Sequence, residues 1–136
     1  MSFGSQVDKI ADKAAMRASK TVRGTVLGIM RDTIKDTPVD TGRLRNNWFA
    51  SIGKPVIQER SLGSTKKGNP SKSAGDAQAN AKDVASKFKM GDDIYFTNNL
   101  PYAMMVEFGG VVMGRVRKGQ GMLRRAIGIR TSGFRR

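Results

Sequence analysis

The 136-residue chain contains no histidine and no cysteine. That removes hydroxyl triads that need an imidazole, thiol nucleophiles, imidazole or thiolate metal ligands, and disulfides. Acidic pairs remain. Asp8/Asp12 and Asp32/Asp36 stand four apart beside Lys9, Lys13, Arg31 and Lys35, which is the spacing of surface ion pairs on a helix. Asp92 and Asp93 are adjacent, so in a strand they point to opposite faces and do not readily share a metal. The glycine-rich stretch from Gly109 to Gly121 lacks the GK[ST] ending of a phosphate-cradling loop and carries Lys118-Gly119 in the wrong order. The chain therefore reads as a non-enzyme, with no cofactor and no metal.

Charge is the other chemical resource. The net charge is +14 and it is unevenly spread. Residues 115–136 hold eight Lys/Arg and no acid, whereas residues 90–114 hold three acids and no base. Such blocks mark contact with a polyanion or an acidic protein surface. Lys66, Lys67 and Lys72 in the middle of the chain, and Arg115, Arg117, Lys118, Arg130, Arg135 and Arg136 towards its end, are the candidate contacts to DNA phosphates or an acidic partner. Of the nine aromatics, Phe134 alone lies among the C-terminal charges. The pattern thus lacks the interleaved rings of single-strand stacking or base readout, and points to phosphate contact without sequence reading. No apolar run approaches the ~18–20 residues of a membrane span, and the N-terminus has no signal-peptide core. The lack of cysteine fits a reducing compartment.

The elements that must position these groups follow from periodicity. Val7, Ile10, Ala11, Ala14, Ala15, Ala18, Val22, Val26, Ile29, Met30 and Ile34 recur at steps of three and four, which predicts a long amphipathic helix. Ser5 with Asp8 is its expected cap, Thr37-Pro38 its end, and Gly24 and Gly28 its weak points. About 30 residues give a rod of roughly 45 Å, longer than the ~40 Å diameter of a compact domain this size. Part of its stripe is therefore expected to meet another chain. Asp40 or Thr41 caps a short turn through Asn46, and Trp48 to Ile52 is a strand that Val56-Ile57 resumes as an edge or hairpin arm.

The remainder reads as follows. Residues 59–75 are a long solvated basic loop, Asp76 to Phe88 a second helix, and Ile94 to Asn98 a strand. Pro101 to Phe108 is a short helix, Val111 to Val116 a strand broken by Gly114, and Met122 to Ile127 a closing helical turn or two. A basic tail over 128–136 ends the chain. The fold class is α+β in a single domain, 1–136, with the long N-terminal helix packed on a small, mostly antiparallel sheet and short additional helices. So few strands make a marginal sheet unless a helix or a neighbour covers it.

Particular residues raise a family. Pro38-Val39-Asp40-Thr41-Gly42-Arg43-Leu44-Arg45-Asn46 followed by Trp48, then Asn98 or Asn99, Pro101-Tyr102-Ala103 and Glu107-Phe108-Gly109, then Gly121-Met122-Leu123-Arg124, stand in an order and spacing that covers most of the chain. Together they resemble the tailed-bacteriophage neck and tail-completion family, gene-product-ten-like and related to minor tail protein Z. The resemblance implies a structural virion protein, assembled in the host cytoplasm. It would form a ring at the head–tail junction or the head-proximal end of the tail, joining the tail to a DNA-filled capsid. Its implied partners are further copies of itself (six favoured, twelve the other option), neighbouring connector, tail terminator or tail tube proteins, and DNA in the channel.

On this reading Pro38, Asp40, Thr41, Gly42, Arg43, Leu44, Trp48, Asn98, Pro101, Tyr102, Glu107, Gly109, Met122 and Arg124 hold the fold or an interface. Trp48, Tyr102 and Phe108 are expected to lock the turn onto the sheet, with the Tyr102 hydroxyl bonded. Glu107, the only acid after Asp93, needs Arg43 or Arg124 if it is buried and none if it faces solvent. Lateral contacts would use the spare helix face and open sheet edges. A basic nucleic-acid-binding protein is the competing reading.

Overall fold

A computed structural model describes residues 2–38, 42–60 and 75–131, with 112, 130 and 131 described by backbone alone. In chain order the elements are α1 (Phe3–Asp36), α2 (Arg43–Asn46), β1 (Trp48–Ile52), α3 (Gly75–Lys87), β2 (Ile94–Asn98), α4 (Ala103–Phe108), β3 (Gly109–Val112), β4 (Arg115–Lys118) and α5 (Met122–Thr131). The fold is mixed helix and sheet, as the periodicity predicts. The single small sheet is instead two separate antiparallel pairs, β1–β2 and β3–β4. In the first, Trp48 stands opposite Asn98 and Ile52 opposite Ile94.

α1 runs unbroken for 34 residues, about 51 Å. Its cap is Ser2, not Ser5: the Ser2 hydroxyl accepts from Ser5 N–H, and the Ser5 hydroxyl donates back to the Ser2 carbonyl. Starting the helix three residues earlier brings Phe3 into its first turn. α1 packs against α3 and α5, and Arg23 marks where this cover begins, its Nε donating 2.7 Å to the Phe88 carbonyl at the end of α3. Before that point residues 6–18 are all exposed. The core gathers Met30 and Ile34 of α1, Leu44, Trp48, Ala50, four residues of α3 (Ala77, Ala81, Val84 and Ala85), Leu100, Ala103 and Met122.

Several boundaries move for local reasons. Gly42, at φ 83°, occupies the N-cap position of α2 in the left-handed region, which favours glycine. Asp40 and Thr41 lie outside the described residues, as do 61–74 of the basic loop. Val56-Ile57 forms no strand. Instead the side chains of Thr97 and Asn99 hold the Val56 carbonyl, and Asn99 also holds that of Gln58. The free edge of β1 is closed by α3, since Asn80 both donates to and accepts from the Ala50 backbone, at 3.2 and 2.7 Å. That side-chain amide mimics a neighbouring strand, so this edge is unavailable for pairing with another copy.

Towards the C-terminus, Pro101-Tyr102 form a turn ahead of α4 and are not its first residues. The expected broken strand is a hairpin turning at Met113-Gly114, where both residues have positive φ. The closing helix is ten residues long, so 128–131 belong to α5 and not to a tail.

Trp48 fixes the junction of α1 with the sheet. Its indole N–H donates 2.9 Å to the buried Thr37 hydroxyl, which donates 2.6 Å to the Thr33 carbonyl, and its ring stacks on Phe96 with centroids 4.7 Å apart. Thr37→Val leaves the buried indole N–H without an acceptor and is expected to cost about 1–3 kcal/mol. Trp48→Ala is expected to cost about 3–5 kcal/mol. Chemical denaturation of the two variants beside the parent chain checks both the sizes and their order.

Candidate assembly interface

The segment Arg43-Leu44-Arg45-Asn46-Asn47-Trp48 is a hub that ties together the end of α1, the start of α3, β2 and residues 59–60. Arg43 pairs with Glu59 at 3.0 Å, with both side chains more than two-fifths exposed, a pair that adds little stability. Leu44 is buried, and its carbonyl accepts from Asn98 Nδ2 at 2.9 Å. Arg45 reaches the last turn of α1, donating to the Thr37 and Lys35 carbonyls, where a cation suits the negative helix end. Asn46 Oδ1 accepts from the Ala77 amide in the first turn of α3. Asn47, 1 % exposed, grips both the N–H and the carbonyl of Arg60.

Arg60 completes this clasp. Its guanidinium donates to the Asn46 and Trp48 carbonyls and lies 4.0 Å over the Phe49 ring. Burial lowers its proton affinity, while Asp76 acts in the opposite direction.

A second cluster joins α4, the hairpin and α5. Glu107 is buried and caps α5: its carboxylate accepts from the Leu123 and Arg124 amides, each at 3.1 Å, and from Arg124 Nε at 3.2 Å. Arg124 also donates 2.7 Å to the Glu107 carbonyl and lies over Phe108 at 4.7 Å. Of the two expected partners it is Arg124 that meets Glu107. Burial alone would raise the Glu107 pKa, but the two backbone donors and the guanidinium outweigh it and hold the carboxyl below its usual range. Gly109 and Gly119 let the two hairpin ends cross. A Cβ on Gly109 would sit 2.5 Å from the Arg117 carbonyl, and one on Gly119 would sit 2.4 Å from the Phe108 carbonyl carbon. Met122 is sealed beneath at 1 % exposure.

The structure therefore brings Gly42, Arg43, Leu44, Trp48, Asn98, Glu107, Gly109, Met122 and Arg124 into two adjoining clusters. A cleft of about 230 Å³ between them is lined by Trp48, Asn98, Met104, Glu107, Phe108 and Ile127 among others. Tyr102 and Phe108 are 40 % and 57 % exposed and do not lock the turn as expected; they stand at opposite ends of a short helix whose inward positions are Ala103 and Glu107. Exposed Pro38 and Tyr102 line a second cleft, of about 260 Å³, together with Arg117 and Lys118. Pro101 is exposed at the turn before α4.

Of the predicted basic contacts, Arg115, Arg117 and Lys118 stand together on the fully exposed strand β4. Lys66, Lys67, Lys72, Arg135 and Arg136 lie outside the described residues, and Arg130 is placed by backbone only. Arg45, Asn46, Asn47, Arg60 and Asn80 were not predicted as site residues. For Arg45, Asn46 and Asn47 the signal was the density of amides and guanidinium groups at a helix end; Arg60 and Asn80 carried none.

Among the described residues no group of three or more acidic side chains could hold a metal ion, and no helix is long and apolar enough to cross a membrane. Compared with protein-family models, curated proteins and solved structures, the chain matches none.

The Glu107 cap makes a pH prediction. Its folded pKa lies below the ordinary 4.5, so its stabilisation is complete above that value and is lost as pH falls through the lowered folded value. Glu107→Gln keeps an acceptor but loses the charge, with an expected cost of about 1–2 kcal/mol at neutral pH. Denaturation curves at pH 7 and pH 3 are expected to converge, leaving a smaller difference between parent and variant in acid.

Proposed function

We propose that this chain is a structural component of the head–tail junction of a tailed phage. It would form a ring at the neck or head-proximal end of the tail that completes the tail and joins it to the filled capsid. The supporting observation is the uncovered N-terminal half of α1. Phe3 is 82 % exposed, Ile10 68 % and Val7 45 %, on a stripe continuous with the one that the core buries further along. An apolar rod held clear of its own domain suits assembly, where identical neighbours provide the cover and one repeated heterologous contact closes a ring.

Most of the described residues that carry the family resemblance also build the two clusters that join α1, the β1–β2 pair and α5. That use fits a scaffold and requires no catalytic role of any of them. In this reading the protein resides in the virion, with further copies, a connector, tail terminator or tail tube protein as neighbours. Particles assembled without the protein are expected to leave filled heads and free tails unjoined, with joining restored by adding the purified chain. Electron microscopy and a plaque assay read both. Normal joining in its absence overturns the reading.

The exposed β4 strand favours a second reading, non-specific nucleic-acid binding. Arg115, Arg117 and Lys118 present charge from one extended segment, which suits phosphates better than bases. Replacing all three with alanine is expected to weaken duplex binding irrespective of sequence. The slope of log K against log salt should become shallower by about 2–3, as measured by fluorescence anisotropy over a salt series. The neck reading predicts intact joining in the same variant, so one protein separates the two functions.

A further inference from the structure

The uncovered half of α1 has a matching surface on the body of the same chain. Where α1, β2 and α5 meet, Val26, Ile29, Ile94, Phe96, Leu123 and Ile127 line a trough of about 270 Å³. The trough shares Leu123 and Ile127 with the cleft between the two clusters. The two depressions form one mostly apolar channel on the body.

We infer that this channel receives the N-terminal half of α1 from a second copy, Phe3 to Lys20. The inference rests on the self-assembly part of the proposed function and names its contact. The fit is one of shape, area and charge. Phe3, Val7 and Ile10 provide large apolar groups on one stripe, and Ala11, Ala14, Ala15 and Ala18 on the same stripe let another backbone come close. The donated segment is 18 residues, about 27 Å, laid into the groove as amphipathic helices commonly are. Covered over roughly two-fifths of its girth, the helix and its receiving channel bury on the order of 1,000 Å², where specific interfaces begin. Asp92 and Asp93, both exposed, adjoin Ile94 at the channel; Lys13 and Arg17 edge the donated stripe on one side and Asp8 and Asp12 on the other, so the basic edge is the one laid towards Asp92 and Asp93.

Head-to-tail seating also covers both the exposed stripe and the apolar channel of every copy. Pairing two N-terminal halves about a two-fold axis covers the stripe but leaves each channel open, and it stops at two chains.

The lack of cysteine makes the contact directly readable. Val7→Cys and Ile127→Cys are made as separate full-length proteins, mixed at a concentration where sedimentation shows association, and oxidised. A disulfide forms only where Cα atoms approach within about 7 Å. The expected result is a cross-linked dimer in the mixture and little in either protein alone, with ladders or closed rings from the chain carrying both substitutions. Neighbouring pairs, Val7→Cys or Ile10→Cys with Leu123→Cys or Ile127→Cys, scan the register, and one of them is expected to cross-link. Val7→Asp with Ile10→Asp alters no core residue, so at a dilution where the parent is monomeric the two melting temperatures are expected to agree, while association at higher concentration is lost.

Dominant Val7–Val7 cross-links overturn the inference in favour of two-fold helix pairing. Assembly into rings with no cross-link from any of these pairs overturns the seating alone and leaves the neck reading standing. A chain that remains monomeric at its highest soluble concentration overturns the seating, and the joining assay then decides the neck reading independently.

Discussion

The first constraint on this protein is a mismatch of lengths. A 34-residue helix is laid on a body that reaches only as far back as Arg23, where the end of α3 takes hold of it. The apolar stripe does not stop there, because helical periodicity carries it on to Phe3. Hydrophobic surface left in water is a standing free-energy cost of about 25 cal/mol per Å², and folding of a single chain does not relieve it. The body, for its part, is thinly built. Two two-stranded pairs are too small to be stable by themselves, so they depend on α1, α3 and α5 for cover.

What fastens this small body together is mostly polar. Six consecutive residues from Arg43 to Trp48 bind four separate elements through amides, guanidinium groups and one indole. Glu107 does the same for α5 with a single carboxylate. The side chains of Arg45, Asn46, Asn47 and Glu107 satisfy backbone groups that a short element or a helix end would otherwise leave open. Short elements have many ends for their length, and this explains why so much of the structure is invested in caps. Asn80 applies the same solution to a strand edge. With that edge closed, strand pairing along β1 is disfavoured.

Much of the fold was legible in advance because periodicity and punctuation are local. The step of three and four from Val7 to Ile34 identified α1, and the residues of β1 and β2 were bounded by their flanking turns. The partnership of Glu107 with Arg124 was one of two options that the sequence offered. The misreadings have local causes as well. Ser5 looked like a cap because Asp8 follows it, but Ser2 is available one turn earlier. Gly114 marked a break in the stretch Val111 to Val116 but not that the chain reverses there, and a non-glycine residue at φ 49° is not announced by its type.

The sequence by itself determined the absence of thiol and imidazole chemistry, the excess of positive charge, and an apolar helix longer than the domain it belongs to. These are properties of residue type and spacing, and no tertiary arrangement can change them. Tertiary structure alone decided which half of that helix is covered, that Arg43 goes to Glu59 and leaves Glu107 to Arg124, and that the apolar remainder forms a channel between α1, β2 and α5. Such outcomes depend on distances between residues far apart in the chain. Those distances are set when α3 and α5 pack on α1, a step that local periodicity does not encode.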